Sequence, residues 1–221
     1  MFFNLDPPTL IARVIVLLTA FAVHEFAHAW TADYFGDDTP RLNGRLTLNP
    51  LAHLDPMGSL MLIFAGFGWA KPVPVNPYLL QRRSSSALMW VSLAGPLSNL
   101  LMALAAALPF QVGLVSSQAA YTDVFLGTGR LLPTLPQLLW EFIFINLVLM
   151  LFNLIPLAPL DGDKIAQYFL PPSWADTFER IRPYGPLILM LLFIGGPILG
   201  VDILGWILGP PLQFLIGLLV G

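Results

Sequence analysis

The chain has 221 residues, of which 57% are hydrophobic and only 10% charged, with a mean hydropathy of +0.76 and a formal net charge of −3. Soluble domains carry about 25% charged residues, so this composition excludes an ordinary soluble fold and points to a lipid bilayer as the solvent. No basic block or RNA-binding signature suggests a nucleic-acid partner, and the lack of cysteine excludes disulfides, thiolate metal sites and a cysteine nucleophile.

The first apolar run covers residues 9–34, long enough to span a hydrocarbon core that needs about 20 helical residues. Asp6-Pro7-Pro8-Thr9 suits a helix start, with Pro tolerated in the first turn and Asp or Thr able to cap; Gly36-Asp37-Asp38 ends the run. It is not expected to be a secretory signal. Asp6 stands where basic residues belong, and no small-residue cleavage site follows. Residues 35–86 are polar and rich in Pro, Asn and Arg, interrupted by an apolar stretch at 57–69. At about 13 residues, that stretch suits a re-entrant or interfacial segment better than a full crossing.

Residues 87–109 form the second predicted span, 111–135 a polar connector and 136–154 the third span. Pro156 and Pro159 stop the third span because neither has an amide to donate. Residues 160–182 are mixed and expected to be amphipathic at the interface. Residues 186–199 and 203–219, separated by Gly200-Val201-Asp202, suit two short spans or a helical hairpin. The predicted fold is an all-α polytopic membrane protein of five to six transmembrane helices, with short extended segments and a re-entrant element. One integral-membrane domain is expected over 1–221, with a catalytic core at about 9–170 and the carboxy-terminal hairpin at about 184–220. Arg41, Arg45, Lys71, Arg82 and Arg83 lie in the 35–86 connector and Lys164, Arg180 and Arg182 in the 160–182 segment, against Arg130 alone in the 111–135 connector. The positive-inside rule therefore places the first two segments in the cytoplasm.

His24-Glu25-Phe26-Ala27-His28 lies inside the first span. Residues i and i+4 project from one helix face, so both imidazoles can reach one metal ion with Glu25 beside it. Ionisable groups near the bilayer centre cost roughly 2.5–3.5 kcal/mol each, and a bound zinc ion is the simplest compensation. A catalytic zinc usually takes three protein ligands, and Asp161 is the best third candidate. Pro156 and Pro159 break the chain near the cytoplasmic side, where irregular backbone must be buried or line a wet cavity, and Gly162 permits a sharp turn close to the metal. The alternative role for Asp161 is to cap a helix beginning near Asp163.

These segments resemble the site-2 protease family of intramembrane zinc metalloproteases. Its H-E-x-x-H helix matches His24, Glu25 and His28, and its later N-x-x-P-x-x-P-L-D-G-like segment matches Asn153, Pro156, Pro159, Leu160, Asp161 and Gly162. Ala94-Gly95-Pro96-Leu97-Ser98-Asn99 is similar to the family's G-P-x-x-N element. Residues 44–55, with Asn49-Pro50 and His53-Leu54-Asp55-Pro56 nearby, resemble the compact branch without a PDZ or CBS domain. The likeness covers roughly residues 21–162. It implies one Zn2+ per chain on His24, His28 and Asp161, with Glu25 as general base. It also implies transmembrane-helix protein substrates; a bacterial or archaeal cell membrane is the expected location, with the active site toward the cytoplasm by the positive-inside rule.

The chemistry of the residues agrees with those roles. Zinc lowers the pKa of water toward about 7, and Glu25 is placed to take its proton and pass it to the leaving amine. Asn153, just before the helix break, can hold the scissile backbone or stabilise an oxyanion, or else make an interhelical hydrogen bond. His53 and Asp55 suit either a contact supporting the site or a loop turn. Asn99 is expected to cross-brace helices at the close contact that Gly95 permits, Glu141 to sit favourably with the helix dipole, and Asp202 to be an exposed turn residue. In Lys71-Pro72-Val73-Pro74-Val75-Asn76-Pro77, the prolines would block one strand edge and leave the other open to a substrate strand, unless the segment is a rigid loop. Two rival functions are a metal transporter or channel using the same polar residues for permeation, and an inactive scaffold that binds transmembrane helices.

Overall fold

A chain solvated by lipid must satisfy its backbone polar groups internally, which restricts spanning segments without barrel closure to helices. The computed structural model describes residues 6–65, 68–125, 129–198 and 200–221. Among them the protein is helical, with one isolated antiparallel bridge between Leu54 and Ala70. Among the described residues, four helices are long and apolar enough to cross a membrane: α1 (Pro7–Tyr34), α6 (Ala87–Gln111), α8 (Leu135–Asn153) and α13 (Ile203–Val220). This is an all-α polytopic membrane protein.

The connector from α1 to α6 carries four short helices, α2 (Thr39–Leu42), α3 (Pro50–His53), α4 (Pro56–Ala65) and α5 (Pro77–Arg83). The apolar stretch predicted at 57–69 forms α4, whose 10 residues are too few for a crossing; positions 66 and 67 lie outside the described residues. Buried polar groups hold this connector. Asp37 accepts from the amides of Thr39 (3.1 Å) and Asn76 (2.6 Å), and Arg45 donates to the Ala52 carbonyl. His53 Nε2 meets the Thr47 carbonyl at 2.8 Å, and the Lys71 amide donates to the His53 carbonyl. Asp55 accepts from the Gly58 amide at the start of α4. Of the two roles weighed for His53 and Asp55, the loop-stabilising one is therefore seen.

Between α6 and α8 lies α7 (Ser117–Phe125). After α8 come α9 (Asp161–Phe169) and α10 (Pro172–Ile181), joined by the Arg182–Asp163 ion pair at 3.0 Å. The apolar stretch predicted at 186–199 is a broken run: α11 (Gly185–Met190), a π-helical turn and α12 (Gly196–Ile198), with position 199 outside the described residues. Gly200, at φ +71°, turns the chain, and Asp202 caps α13 by accepting from the Gly205 amide.

Alanine makes the core possible. Ala103, Ala106 and Ala107 of α6 pack against Ile143 and Leu147 of α8, with Leu219 and Val220 of α13 closing the cluster. Small residues let helices approach closely where lipid removes the usual hydrophobic drive. Ala12, Val16, Ala20 and Ala29 bury the inner face of α1 in the same way, while Leu10, Val14, Leu101 and Leu108 point outward. The result places α1, α6 and α8 against one another, with α9 packed on α6.

Candidate metal centre

The centre is assembled from two helices and the turn that follows a third. On α1, His24 and His28 stand one helical turn apart, both buried, their Nε2 atoms 3.0 Å from each other. Asp161 opens α9 and does not cap it; Leu160 occupies the N-cap position. Its Oδ2 lies 3.2 Å from His24 Nε2 and 3.3 Å from His28 Nε2. Two prolines deliver this carboxylate. α8 stops at Asn153, and tight turns through Pro156 and Pro159, held by Leu157 and Leu160 amides, lead into α9. Gly162 is needed because a Cβ there would collide with the carbonyl oxygens of Leu154 and Ile155, and not because of an unusual φ.

The opposite wall is α6. A Cβ at Gly95 would lie 2.6 Å from His24 ring atoms and run into His28 Nε2, so the close contact expected at Gly95 is against the imidazoles themselves. His28 Nδ1 faces the Val91 carbonyl at 2.7 Å, and His24 Nδ1 faces Asn99 Oδ1 at 2.6 Å. Asn99 braces helices as expected, through a 2.8 Å bond to Asn146 on α8, but it also touches a metal-ligand candidate. Asn146 has no motif around it, and only its place in an apolar run could have marked it.

The three converging atoms fit a metal ion. Asp161 Oδ2 is buried and takes no hydrogen bond, although it lies close to two ring nitrogens. His28 Nδ1 donates to the Val91 carbonyl, so in the neutral ring the Nε2 lone pair is aimed at the same point. With both rings neutral, three acceptors face one another and repel unless a proton or a metal ion sits among them. Their separations of 3.0, 3.2 and 3.3 Å are close to the roughly 3.3 Å edge expected for tetrahedral zinc with N and O ligands. Within the described residues, His24, His28 and Asp161 are the group able to hold a metal ion.

A cavity of about 290 Å³ opens onto this centre. Glu25 lines it, buried and without a hydrogen bond or ion pair from the described chain. Asn153 lines it too, though its Nδ2 donates back to the Leu149 carbonyl of its own helix at 2.9 Å and not across to another helix. Pro72, Val73 and Val75 form part of the wall, in a segment with no helix and, among the described residues, no strand partner beyond the nearby Leu54–Ala70 bridge. Lys164 also reaches the wall; His53 and Asp55 do not.

Elsewhere the chain pairs polar groups that the sequence did not pair. Arg13 on α1 bonds Glu141 on α8 through Nε at 3.0 Å and Nη2 at 3.3 Å. Glu141 thus has an ionic partner in addition to its place near the start of its helix. Thr9 accepts from Gln137 at 2.9 Å, so the expected Asp6 or Thr9 cap of α1 is replaced by a cross-helix bond.

Similarity to known proteins bears directly on this centre. The chain is 41% identical over 181 residues to "Putative zinc metalloprotease YwhC" of Bacillus subtilis strain 168, covering 82% of this chain and 79% of that protein. It is 32% identical over 187 residues to "Putative zinc metalloprotease Rip2" of Mycolicibacterium smegmatis, covering 80% of this chain and 64% of the relative. Identity to the Rip2 protein of Mycobacterium tuberculosis strain H37Rv is 30% over 203 residues, 87% of this chain and 68% of the relative. No family model and no solved structure matches the chain. With that degree of likeness over most of its length, the chain belongs to the zinc metalloprotease family that includes YwhC and Rip2.

Proposed function

We propose that this protein is an intramembrane zinc endopeptidase of the site-2 protease type, cutting peptide bonds within or near transmembrane helices of membrane-protein substrates. The observation that carries the reading is the convergence of His24 Nε2, His28 Nε2 and the unpartnered Asp161 Oδ2 beside a cavity lined by Glu25. His24, His28 and Asp161 would hold one zinc ion. What zinc supplies when bound is Lewis acidity, which lowers the pKa of water and polarises a peptide carbonyl.

The chain's own groups supply the rest. Glu25, next to His24 and without a hydrogen bond from the described residues, takes the proton of the attacking water and passes it to the leaving amine. Asn153 holds the scissile peptide at the cavity wall, its Nδ2 turning from Leu149 to the substrate. Residues 71–76 take up the unwound substrate as an added strand, because a helical substrate buries the carbonyl that water must reach. Support for this role is that Pro72, Val73 and Val75 line the cavity. The positive charges of the 35–86 connector support a centre that faces the cytoplasmic side of a bacterial membrane, where cleavage would serve regulated intramembrane proteolysis.

A transporter built on the same residues needs no general base, and the protease relatives favour hydrolysis. The test is cleavage of a membrane-helix reporter carrying helix-destabilising Gly or Pro. The unchanged protein should cut it, while Glu25→Gln should retain zinc and not cut. Metal flux without cleavage in either form would overturn the proposal.

A further inference from the structure

We propose that Asn99 and Asn146 are positioning residues for the metal centre: a relay of oriented amides, starting at the Phe142 backbone carbonyl, fixes His24 as its Nδ1–H tautomer and frees Nε2 for the metal. The inference rests on the metal-site reading above. An amide side chain can present either its oxygen or its NH2 group to a neighbour, so a contact between two amides does not by itself give a direction. Here one end of the chain is fixed. A backbone carbonyl only accepts, so the Asn146 group 2.8 Å from the Phe142 oxygen must be its NH2.

The remaining orientations follow in sequence. Asn146 is left with Oδ1 toward α6, so Asn99 must turn its NH2 to it, at 2.8 Å. Asn99 then has only Oδ1 to offer His24, at 2.6 Å, and His24 Nδ1 must be the protonated nitrogen. Its Nε2 lone pair therefore points at His28 Nε2 and Asp161 Oδ2. Asn99 and Asn146 are fully buried and His24 nearly so, so water does not compete for any of these bonds. His28 needs no relay, because Val91 supplies a backbone carbonyl directly. The two ligands of the H-E-x-x-H helix are thus set by different means, one by main chain and one by two side chains from α6 and α8.

The test uses the full chain in detergent, with zinc as the probe. Partners that orient metal-bound histidines are typically worth about 10–100-fold in affinity, and that loss is expected for Asn99→Leu in a zinc titration against a competing chelator. Asn99→Asp keeps an acceptor for His24, with Asn146 turning its NH2 from the Phe142 carbonyl to the second carboxylate oxygen, and should bind zinc more tightly than Asn99→Leu. Asn146→Leu should fall between, since Asn99 is then free to turn over. Nitrogen NMR of the metal-free chain, at a pH alkaline enough for neutral rings, should find the His24 proton on Nδ1. Finding it on Nε2 would overturn the relay, even if Asn99→Leu failed to fold. Equal zinc affinity in Asn99→Leu and the unchanged protein, or equal loss in Asn99→Asp and Asn99→Leu, would also overturn it. Absence of zinc binding by the unchanged chain would instead defeat the metal-site reading, while the ring measurement would still decide the relay.

Discussion

Helix α1 runs beside α8 and buries polar side chains in two places, at the start of both helices and farther along against α6 and α9, with opposite chemistry in the two. Near the start of both helices, donors meet acceptors: Arg13 binds Glu141, and Gln137 donates to Thr9. Gln137 Oε1 is the one atom of this group left without a partner among the described residues. Toward the far end, His24, His28 and Asp161 turn acceptor atoms on one another at 3.0–3.3 Å. Both groups are expensive to bury in a membrane protein. The first compensates internally and works as a clamp; the second is compensated only when a proton or a metal ion sits among its acceptors. What separates structure from function here is the pairing of the buried polar atoms, not their number.

The contrast can be broken at either end. The largest effect should come from Glu25→Gln, which removes the proposed base but no metal ligand. Cleavage of a membrane-helix reporter should fall by about 10²–10⁴-fold at unchanged zinc content. At the clamp, Arg13→Ala strands the buried Glu141 carboxylate and should lower stability by about 3 kcal/mol, read from unfolding in mixed micelles. Zinc affinity of the folded fraction should not change. Replacing both partners, Arg13→Leu with Glu141→Leu, should restore most of the loss.

Gly95→Ala sharpens the comparison from the metal end. Its methyl group would press on both imidazoles, and overpacking of roughly 1–3 kcal/mol should weaken zinc binding about 5- to 150-fold in a chelator titration. The smallest effect is expected for Thr9→Val, which leaves the Gln137 NH2 without its acceptor. A loss of about 1 kcal/mol in stability, with normal cleavage and zinc binding, would mark that contact as part of the clamp.

Legibility in the sequence followed the range of each signal. The helical spans, the stop at Pro156 and the face shared by His24 and His28 depend on local periodicity and on the covalent chemistry of proline, and they are readable from one stretch of chain. Asp161 could be paired with a helix about 130 residues away only through its proline-broken context and the family resemblance. Pairings between distant apolar segments carry no local mark. Arg13 with Glu141, and Asn99 with Asn146, depend on the rotation of whole helices about their axes. α1 and α8 are apolar nearly all round, so hydrophobic periodicity does not fix that rotation. The apolar stretch at 57–69 was expected to be too short for a crossing, and its helix, Pro56–Ala65, is short. The polar bonds of Asp37, Arg45 and His53 tie the connector to itself, and partners of that kind are not marked in the local sequence.

The central claim is that a metal ion joins the two histidines of α1 to the carboxylate that opens α9. It is tested most directly by locating zinc in crystals of the Glu25→Gln protein from its anomalous scattering. The account predicts one zinc per chain within about 2.0–2.2 Å of His24 Nε2, His28 Nε2 and an Asp161 oxygen. Zinc bound elsewhere, or bound by the histidines with Asp161 turned away, would contradict it.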